Sequence, residues 1–480
     1  MDEATPSKKP WKLHTEIENL EIPTAHTIPK VRKSRVSQKI INVKISSYSK
    51  RGFPDTFFLE NSEYFEMRAN VFGYKDDHVR FALISKACLE WLLYLKKNQD
   101  DSWWPDIIHC NDWHTGYFIE LARTDKRYQR LLSKVPIVFT IHNFFYQGNV
   151  NFKYLPENLQ DKGTIPIVSL LSPKLLRQNP LLRGIMYADE INTVSPTHAI
   201  EALTPEYAEG LEDILIKARS KLTGILNGLD TREFNPKTDP IIKYNYDVSS
   251  YRNSRGKNKL ALQKEFDLLQ DKTKPLIAIC GRISTQKGWE LTIEALPKLL
   301  FEREDLEILV VGQGDERYQN DLMNIQRDYP KRLGLHLRTD FRLPRKIYSG
   351  ADMILQPSIF EPGGIVALES MRYGAVPIVR RTGGLNDIVK EFDAAKEQGT
   401  GFSFVKKNPW SLFGAVITAL TIFYQPRLWN KLVRNCLRAD FSWEYSASEY
   451  IKLYQRAIEE RKRATSITPH PAYKLLPSNM

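Results

Sequence analysis

Cysteine is scarce. The four residues Cys88, Cys110, Cys280 and Cys436 lie far apart and form no CxxC pair. That spacing excludes a disulfide framework and a zinc site, and leaves separate thiols, expected to be buried, in a reducing compartment. No apolar run is long enough to span a bilayer. The opening residues, Met1-Asp2-Glu3-Ala4-Thr5-Pro6, lack an apolar signal core and are acidic where a transit peptide avoids acid. A cytoplasmic protein with no membrane partner is therefore expected. Glycine is missing from the first 51 residues, so no glycine-built loop can lie there. Negative charge is under-represented, with a formal net charge of +12. The excess gathers near the ends, at Lys8, Lys9, Lys12, Lys30, Arg32, Lys33, Arg35 and Lys39, then at Arg461, Lys462 and Arg463. Such arms can attract nucleic acid or simply be solvated. Without an RNP-type, KH or zinc-finger pattern, the expectation is no nucleic-acid partner.

What is present describes an ordinary globular enzyme, 42% hydrophobic and 26% charged, with 480 residues that suit two domains. Residues 1–38 are polar and proline-containing, and read as a basic flexible arm. From Ile40 onward, short apolar strands alternate with helical patterns. Ile107–Cys110, Ile137–Ile141, Glu190–Val194 and Gly224–Leu226 are expected strands, and His78–Leu95 an expected helix. A second alternating series has strands at Leu276–Cys280, Leu306–Val311, Met353–Leu355 and Val376–Val379. Such alternation implies parallel sheets covered on both faces. The fold class is α/β, with two doubly wound Rossmann-like domains facing across a cleft. The expected divisions are an N-terminal domain at 39–240, a polar linker at 241–272, a C-terminal domain at 273–440, a helix at 441–463 that packs back on the N-terminal domain, and a flexible tail at 464–480.

The chemistry gathers in the loops after the second series of strands. Arg282 and Lys287, in Gly281-Arg282-Ile283-Ser284-Thr285-Gln286-Lys287-Gly288, are five apart in a loop able to curl, and a guanidinium beside an ammonium suits a diphosphate. Pro357-Ser358-Ile359-Phe360-Glu361-Pro362-Gly363-Gly364 places a carboxylate in a Pro/Gly-rich loop. Gly363 and Gly364 leave a helix N-terminus open to an anion or a sugar hydroxyl. Glu369, about a turn further, is placed to accept from ribose hydroxyls. Arg381-Thr382-Gly383-Gly384 repeats the device at a second helix start. Each piece has a plain alternative, a surface loop or a capped helix with a solvated acid. Two glycine-opened helix ends in one sheet, with two cations beside them, favour a diphosphate pocket.

Together these segments resemble the retaining GT-B glycosyltransferases, and specifically the glycogen/starch synthases of glycosyltransferase family 5. In the first half, His109-Cys110-Asn111-Asp112-Trp113-His114-Thr115-Gly116, Thr140-Ile141-His142-Asn143, Tyr146-Gln147-Gly148, Thr193-Val194-Ser195-Pro196-Thr197 and Gly224-Ile225-Leu226-Asn227-Gly228 are similar to family motifs in order and spacing. So is Asp440-Phe441-Ser442-Trp443-Glu444, and the resemblance spans roughly residues 55–460. It implies a metal-free hexosyltransferase that moves glucose from ADP-glucose to the non-reducing end of an α-1,4-glucan with retention of configuration. The leaving phosphate would take the acceptor's proton. Arg282 and Lys287 would offset phosphate charge, Glu361 would lie beside the donor sugar, and His142 near the transferred glucose. Asp112 and Asn227 would line the cleft from the first half. Thr382, Gly383 and Gly384 would contribute to the phosphate pocket, the two glycines through backbone N–H groups. The plain readings are a core histidine for His142, a helix cap for Asp112 and a turn residue for Asn227.

Two departures from the family pattern stand out. The Lys-x-Gly-Gly-Leu loop with which the family opens is not found in residues 1–55, so the N-terminal domain is expected to lack its first unit. Glu361-Pro362-Gly363-Gly364 replaces the usual Glu-Pro-Cys-Gly, which removes a thiol. The competing functions are another retaining glycosyltransferase with a different acceptor, and a glucan- or nucleotide-binding relative without turnover.

Overall fold

In the computed structural model, residues 12–25, 39–98, 103–148 and 151–466 are described. The chain divides into two compact units. The first takes residues up to Asn192, then Ala202–Leu222, and the chain from Lys452 onward. The second takes Thr193–Glu201 and Thr223–Ile451.

The first unit opens with an antiparallel three-stranded sheet of β1 (His14–Pro23), β2 (Ile40–Tyr48) and β3 (Thr56–Glu60), in that order. Strand β1 corrects the expectation of a flexible arm over 1–38. Its apolar alternation is concealed because the pairing with β2 shifts register between Thr15 and Ile17 and again between Ile17 and Leu20. Such irregularities break the period of two on which a strand is recognised. Only Leu20 and Ile22 are left as its buried hydrophobic anchors. Residues 1–11 and 26–38, the rest of the expected arm, lie outside the described residues.

A second sheet of the first unit runs β4 (Ile108–Asn111), β5 (Ile137–Ile141), β6 (Glu190–Thr193) and β7 (Leu222–Gly224), with β4 and β5 parallel. β5 is buried along its whole length, as a strand with four apolar residues in five requires. The helix Asp77–Asn98 packs Phe81, Leu83 and Leu89 into the same core. Cys88 sits on that helix's outward side and is exposed, and Cys280 is partly exposed, so only Cys110 and Cys436 are buried as expected.

The last helix, Trp443–Ser466, sends its C-terminal half into the first unit. There Tyr454 Oη lies 2.8 Å from His109 Nδ1, and Arg456 and Arg461 pair with Glu190 and Asp189 at 3.0 and 3.3 Å. The helix continues through Ser466, into the stretch expected as a flexible tail from 464. Residues 467–480 lie outside the described residues.

The second unit is built on a six-stranded parallel sheet in the order β10 (Leu333–His336), β9 (Glu307–Val311), β8 (Leu276–Cys280), β11 (Met353–Gln356), β12 (Val376–Arg380), β13 (Phe402–Phe404). From β8 the order advances one way to β9 and β10, and from β11 the other way to β12 and β13. The crevice between β8 and β11 is therefore the topological switch point, where open α/β sheets bind ligands at the carboxyl ends of their strands. The stretch read as a linker at 241–272 is part of this unit. The helix Tyr251–Glu265 buries Tyr251 and Leu262 in the second core, with Ile242 and Tyr246 ahead of it. Its polar composition hides this, since only one narrow stripe faces inward.

Candidate active site

The loops after β8 and β11 are locked together. Gly288 has φ +75°, and a Cβ there would stand 2.0 Å from Pro357 O, so only glycine allows the two loops to touch. Gln286 O accepts from Ile359 N–H at 2.8 Å, and Gln286 Nε2 donates to Phe360 O at 3.4 Å. The Trp289 indole N–H donates to Arg282 O at 3.1 Å, fixing the loop's other limb. This scaffold brings Lys287 Nζ to 2.5 Å from Glu361 Oε2, which also accepts from Ser358 Oγ at 2.9 Å. Lys287 and Glu361 are distant in sequence and keep only 25% and 12% of their side-chain surface. A half-buried ion pair at a switch point holds its charges in fixed positions. Arg282 is exposed at the mouth, with Nη2 3.3 Å from Gln286 Oε1.

Gly363 and Gly364 close the β11 loop ahead of the helix Ile365–Arg372, with Gly364 left-handed at its N-cap. Among the described residues their N–H groups have no hydrogen-bond acceptor. Asn227 lies against Gly363, where an added Cβ would be 3.0 Å from Asn227 Nδ2. Asn227 was expected from the first half, yet it belongs to the second unit. Glu369, on the same helix, is partly buried beside Tyr348 and Arg345. Burial pushes its carboxyl up to about 7, against the pull of the Tyr348 hydroxyl and the Arg345 guanidinium.

The loop after β12 differs from expectation. Gly383 N–H donates to both carboxylate oxygens of Glu201 at 3.1 and 3.0 Å, and Thr382 Oγ1 lies 3.1 and 3.3 Å from the same atoms. Gly384 N–H is spent on Glu361 O and Pro362 O at 2.9 and 3.0 Å. These donors, read as open to a phosphate, are satisfied by the protein. The loop instead buttresses Glu361, because a Cβ at Gly383 (φ +43°) would sit 2.2 Å from Glu361 O. Asp387 further ties this loop to Thr197, accepting from Thr197 N–H at 2.8 Å and Thr197 Oγ1 at 2.6 Å.

In the first unit, the loops after β4 and β5 meet through Asp112 and His142. Asp112 takes φ +56° and does not cap the short helical turn that follows it. Its carboxylate instead accepts from His142 N–H at 2.8 Å, while its own N–H donates to Thr140 O at 2.8 Å. Burial raises the Asp112 carboxyl, and the His142 charge and amide draw it back. His142 is exposed, with Nε2 3.0 Å from Asn111 Oδ1, so it is not a core histidine. His109, one strand earlier, is half-buried. It lies 2.5 Å from Thr140 Oγ1, and burial pushes it down to about 4.

Sequence reasoning passed over Ser358, Glu201 and Phe341. Phe341 is 89% exposed in the loop after β10, in the same row of carboxyl-end loops. A lone aromatic between Asp340 and Arg342 was the available signal. Among the described residues no cluster of three or more His, Cys, Asp or Glu side chains is arranged to hold a metal. No helix there is long and apolar enough to cross a membrane.

Two α/β units with parallel sheets, the second carrying a Lys–Glu pair and an open glycine turn at its switch point, define a sugar-nucleotide glycosyltransferase. The starch synthase catalytic domain family matches residues 10–217, and the glycosyl transferases group 1 family matches residues 262–426. The glycogen synthase of Lactobacillus acidophilus is 37% identical over 84% of this chain and 82% of its own length. That of Lachnospira eligens is 40% identical over 83% and 82%. The solved catalytic domain of Starch Synthase IV from Arabidopsis thaliana, bound to ADP and acarbose, superposes with a TM-score of 0.76 at 29% identity, over 93% of this chain and 89% of that one. The chain belongs to the glycogen/starch synthase family.

Proposed function

We propose that this glycosyltransferase moves glucose from ADP-glucose to the non-reducing end of an α-1,4-glucan, with retention of configuration. The observation that carries the reading is the Lys287–Glu361 pair at the switch point. A diphosphate arriving there meets Lys287 and Arg282, which offset the charge that grows on the departing nucleotide. Glu361, held by Ser358, accepts from donor sugar hydroxyls as Lys287 turns to the phosphate. The free N–H groups of Gly363 and Gly364 supply neutral donors beside it, with Asn227 adjacent. Glu369 faces the ribose, and Phe341 offers a ring face to the base. β10 lies two strands from β8, about 10 Å away. His142 and Asp112 keep the roles that the family resemblance gives them. The leaving phosphate takes the acceptor proton, and no metal is required.

Support comes from the ADP in the Arabidopsis neighbour and the names of the bacterial relatives. The test is transfer of labelled glucose from ADP-glucose, and separately UDP-glucose, to glycogen. Label in α-1,4 linkage from ADP-glucose is expected. Absence of incorporation with every glucan primer overturns the reading, and binding of ADP without turnover identifies a non-catalytic relative.

A further inference from the structure

A cavity of about 520 Å³ opens at the amino ends of β8 and β11, the opposite end of the sheet from the loops described above. Its volume falls in the range of ordinary small-molecule sites. It lies between the first turns of the helices Tyr251–Glu265 and Pro426–Arg438, with the Lys272–Thr273 turn at its rim.

Charge on this wall is unbalanced. Four cations line it, Arg252, Arg255, Lys259 and Lys272, against the single carboxylate of Asp352. Lys259 Nζ lies 2.6 Å from Asp352 Oδ2, and those two cancel. Arg255 is 8% exposed, and its guanidinium reaches only uncharged groups: Tyr348 O at 2.8 Å, Tyr246 Oη at 3.4 Å, Tyr373 O and Ala351 O. Those contacts engage Nη1 and Nη2, and they set partial charges of helix C-terminal carbonyls, but no carboxylate, against the guanidinium. A buried cation held only by partial charges still gains from a full anion beside it. Arg252 and Lys272 stand exposed nearby and make no ion pair among the described residues.

The helix also keeps the space clear. Gly256 sits in the helix interior, where glycine costs about 1 kcal/mol against alanine. A Cβ there would meet nothing nearer than Lys272 Cδ at 4.0 Å, so neither backbone geometry nor packing demands the glycine. Trp429 and Phe423 line the remaining wall.

We propose that this cavity binds a small phosphate ester, its dianion among Arg252, Arg255 and Lys272 and its ring against Trp429. Arg255 grips the carbonyl ends of the helices Leu343–Gly350 and Ile365–Arg372. The second of these begins at the Glu361 loop, so an anion that draws on Arg255 acts on an element of the active site.

The test is calorimetric titration of the full chain, each arm run on the parent and on the Arg252→Glu/Lys272→Glu double variant, so that any binding in the nucleotide pocket is common to both and cancels in the comparison. Separate arms use inorganic phosphate, a hexose 6-phosphate and a nucleoside 5′-monophosphate. At least one arm is expected to bind with Kd below about 1 mM, and to weaken tenfold or more in the Arg252→Glu/Lys272→Glu double variant. Both positions are exposed, so the fold is retained. A ring-bearing arm at least tenfold tighter than phosphate, with the difference lost in Trp429→Ala, places the ring on Trp429. Inorganic phosphate binding as tightly as either ester overturns the ester and leaves a bare phosphate site. No binding in any arm overturns the proposal, as does affinity unchanged in the double variant, or reduced equally by Lys390→Glu on another face.

Discussion

At the residue scale, the decisive feature is that Lys287 and Glu361 occupy each other until a donor arrives. Removing either leaves the other half-buried and unpaired. Lys287→Ala and Glu361→Ala are each expected to lower kcat by 100-fold or more with the circular dichroism spectrum intact, and near-normal turnover in either would show the site to be misassigned. Phe341→Ala is expected to raise KM for ADP-glucose about tenfold with kcat nearly unchanged, since stacking on a base is uniform binding. Glu369 predicts a pH effect. Burial raises it to about 7 in the folded chain, against about 4.3 unfolded. Between those values the folded chain keeps a proton that the unfolded chain has released. Its contribution to stability therefore falls as pH rises through that window and is flat above it. Glu369→Gln removes the dependence, so the variant should gain on the order of 1 kcal/mol over the parent between pH 5 and pH 8, after allowance for partial exposure. Urea midpoints at the two pH values measure it.

At the element scale, the site is a set of loops at one end of a parallel sheet, and its precision comes from backbone packing. Gly288 is the clearest case. Gly288→Ala forces a left-handed backbone on alanine and drives its Cβ into Pro357 O. A loss of about 2 kcal/mol or more in unfolding free energy is expected, together with weakened ADP binding. A change under about 0.5 kcal/mol would mean the loops are not held as described. Elements with simple periodicity were legible in the sequence: β5, β8, β9 and the helix Asp77–Asn98 are long apolar or amphipathic runs. β1 was missed because bulges scramble its alternation, β10 because Gly334 interrupts its four residues, and β13 because it has only three. The stretch holding the helix Tyr251–Glu265 reads in sequence as a linker with a helix, and its place in the second core is hidden because cations dominate its surface.

At the scale of the whole molecule, each unit has its own hydrophobic core, and a single unfolding transition is not required. ADP at 100 times its Kd should stabilise the second unit by about 2.7 kcal/mol. Monitored by hydrogen exchange, protection is expected to rise in β8, β11 and β12 and to stay nearly unchanged in β5. Equal protection of both would place the nucleotide elsewhere. The sequence alone determined the α/β class, the row of loops after the second strand series and the residue types in them. Strand periodicity and glycine placement are local properties, readable without contacts. Only the tertiary structure decided which charges meet: that Lys287 pairs with Glu361, that Glu201 takes the donors of Thr382 and Gly383, that Asp112 holds the His142 amide instead of capping a helix, and that Asn227 joins the second unit. These are encounters between residues far apart in the chain. Their energies depend on distance and burial, which exist only once the backbone has brought the partners together.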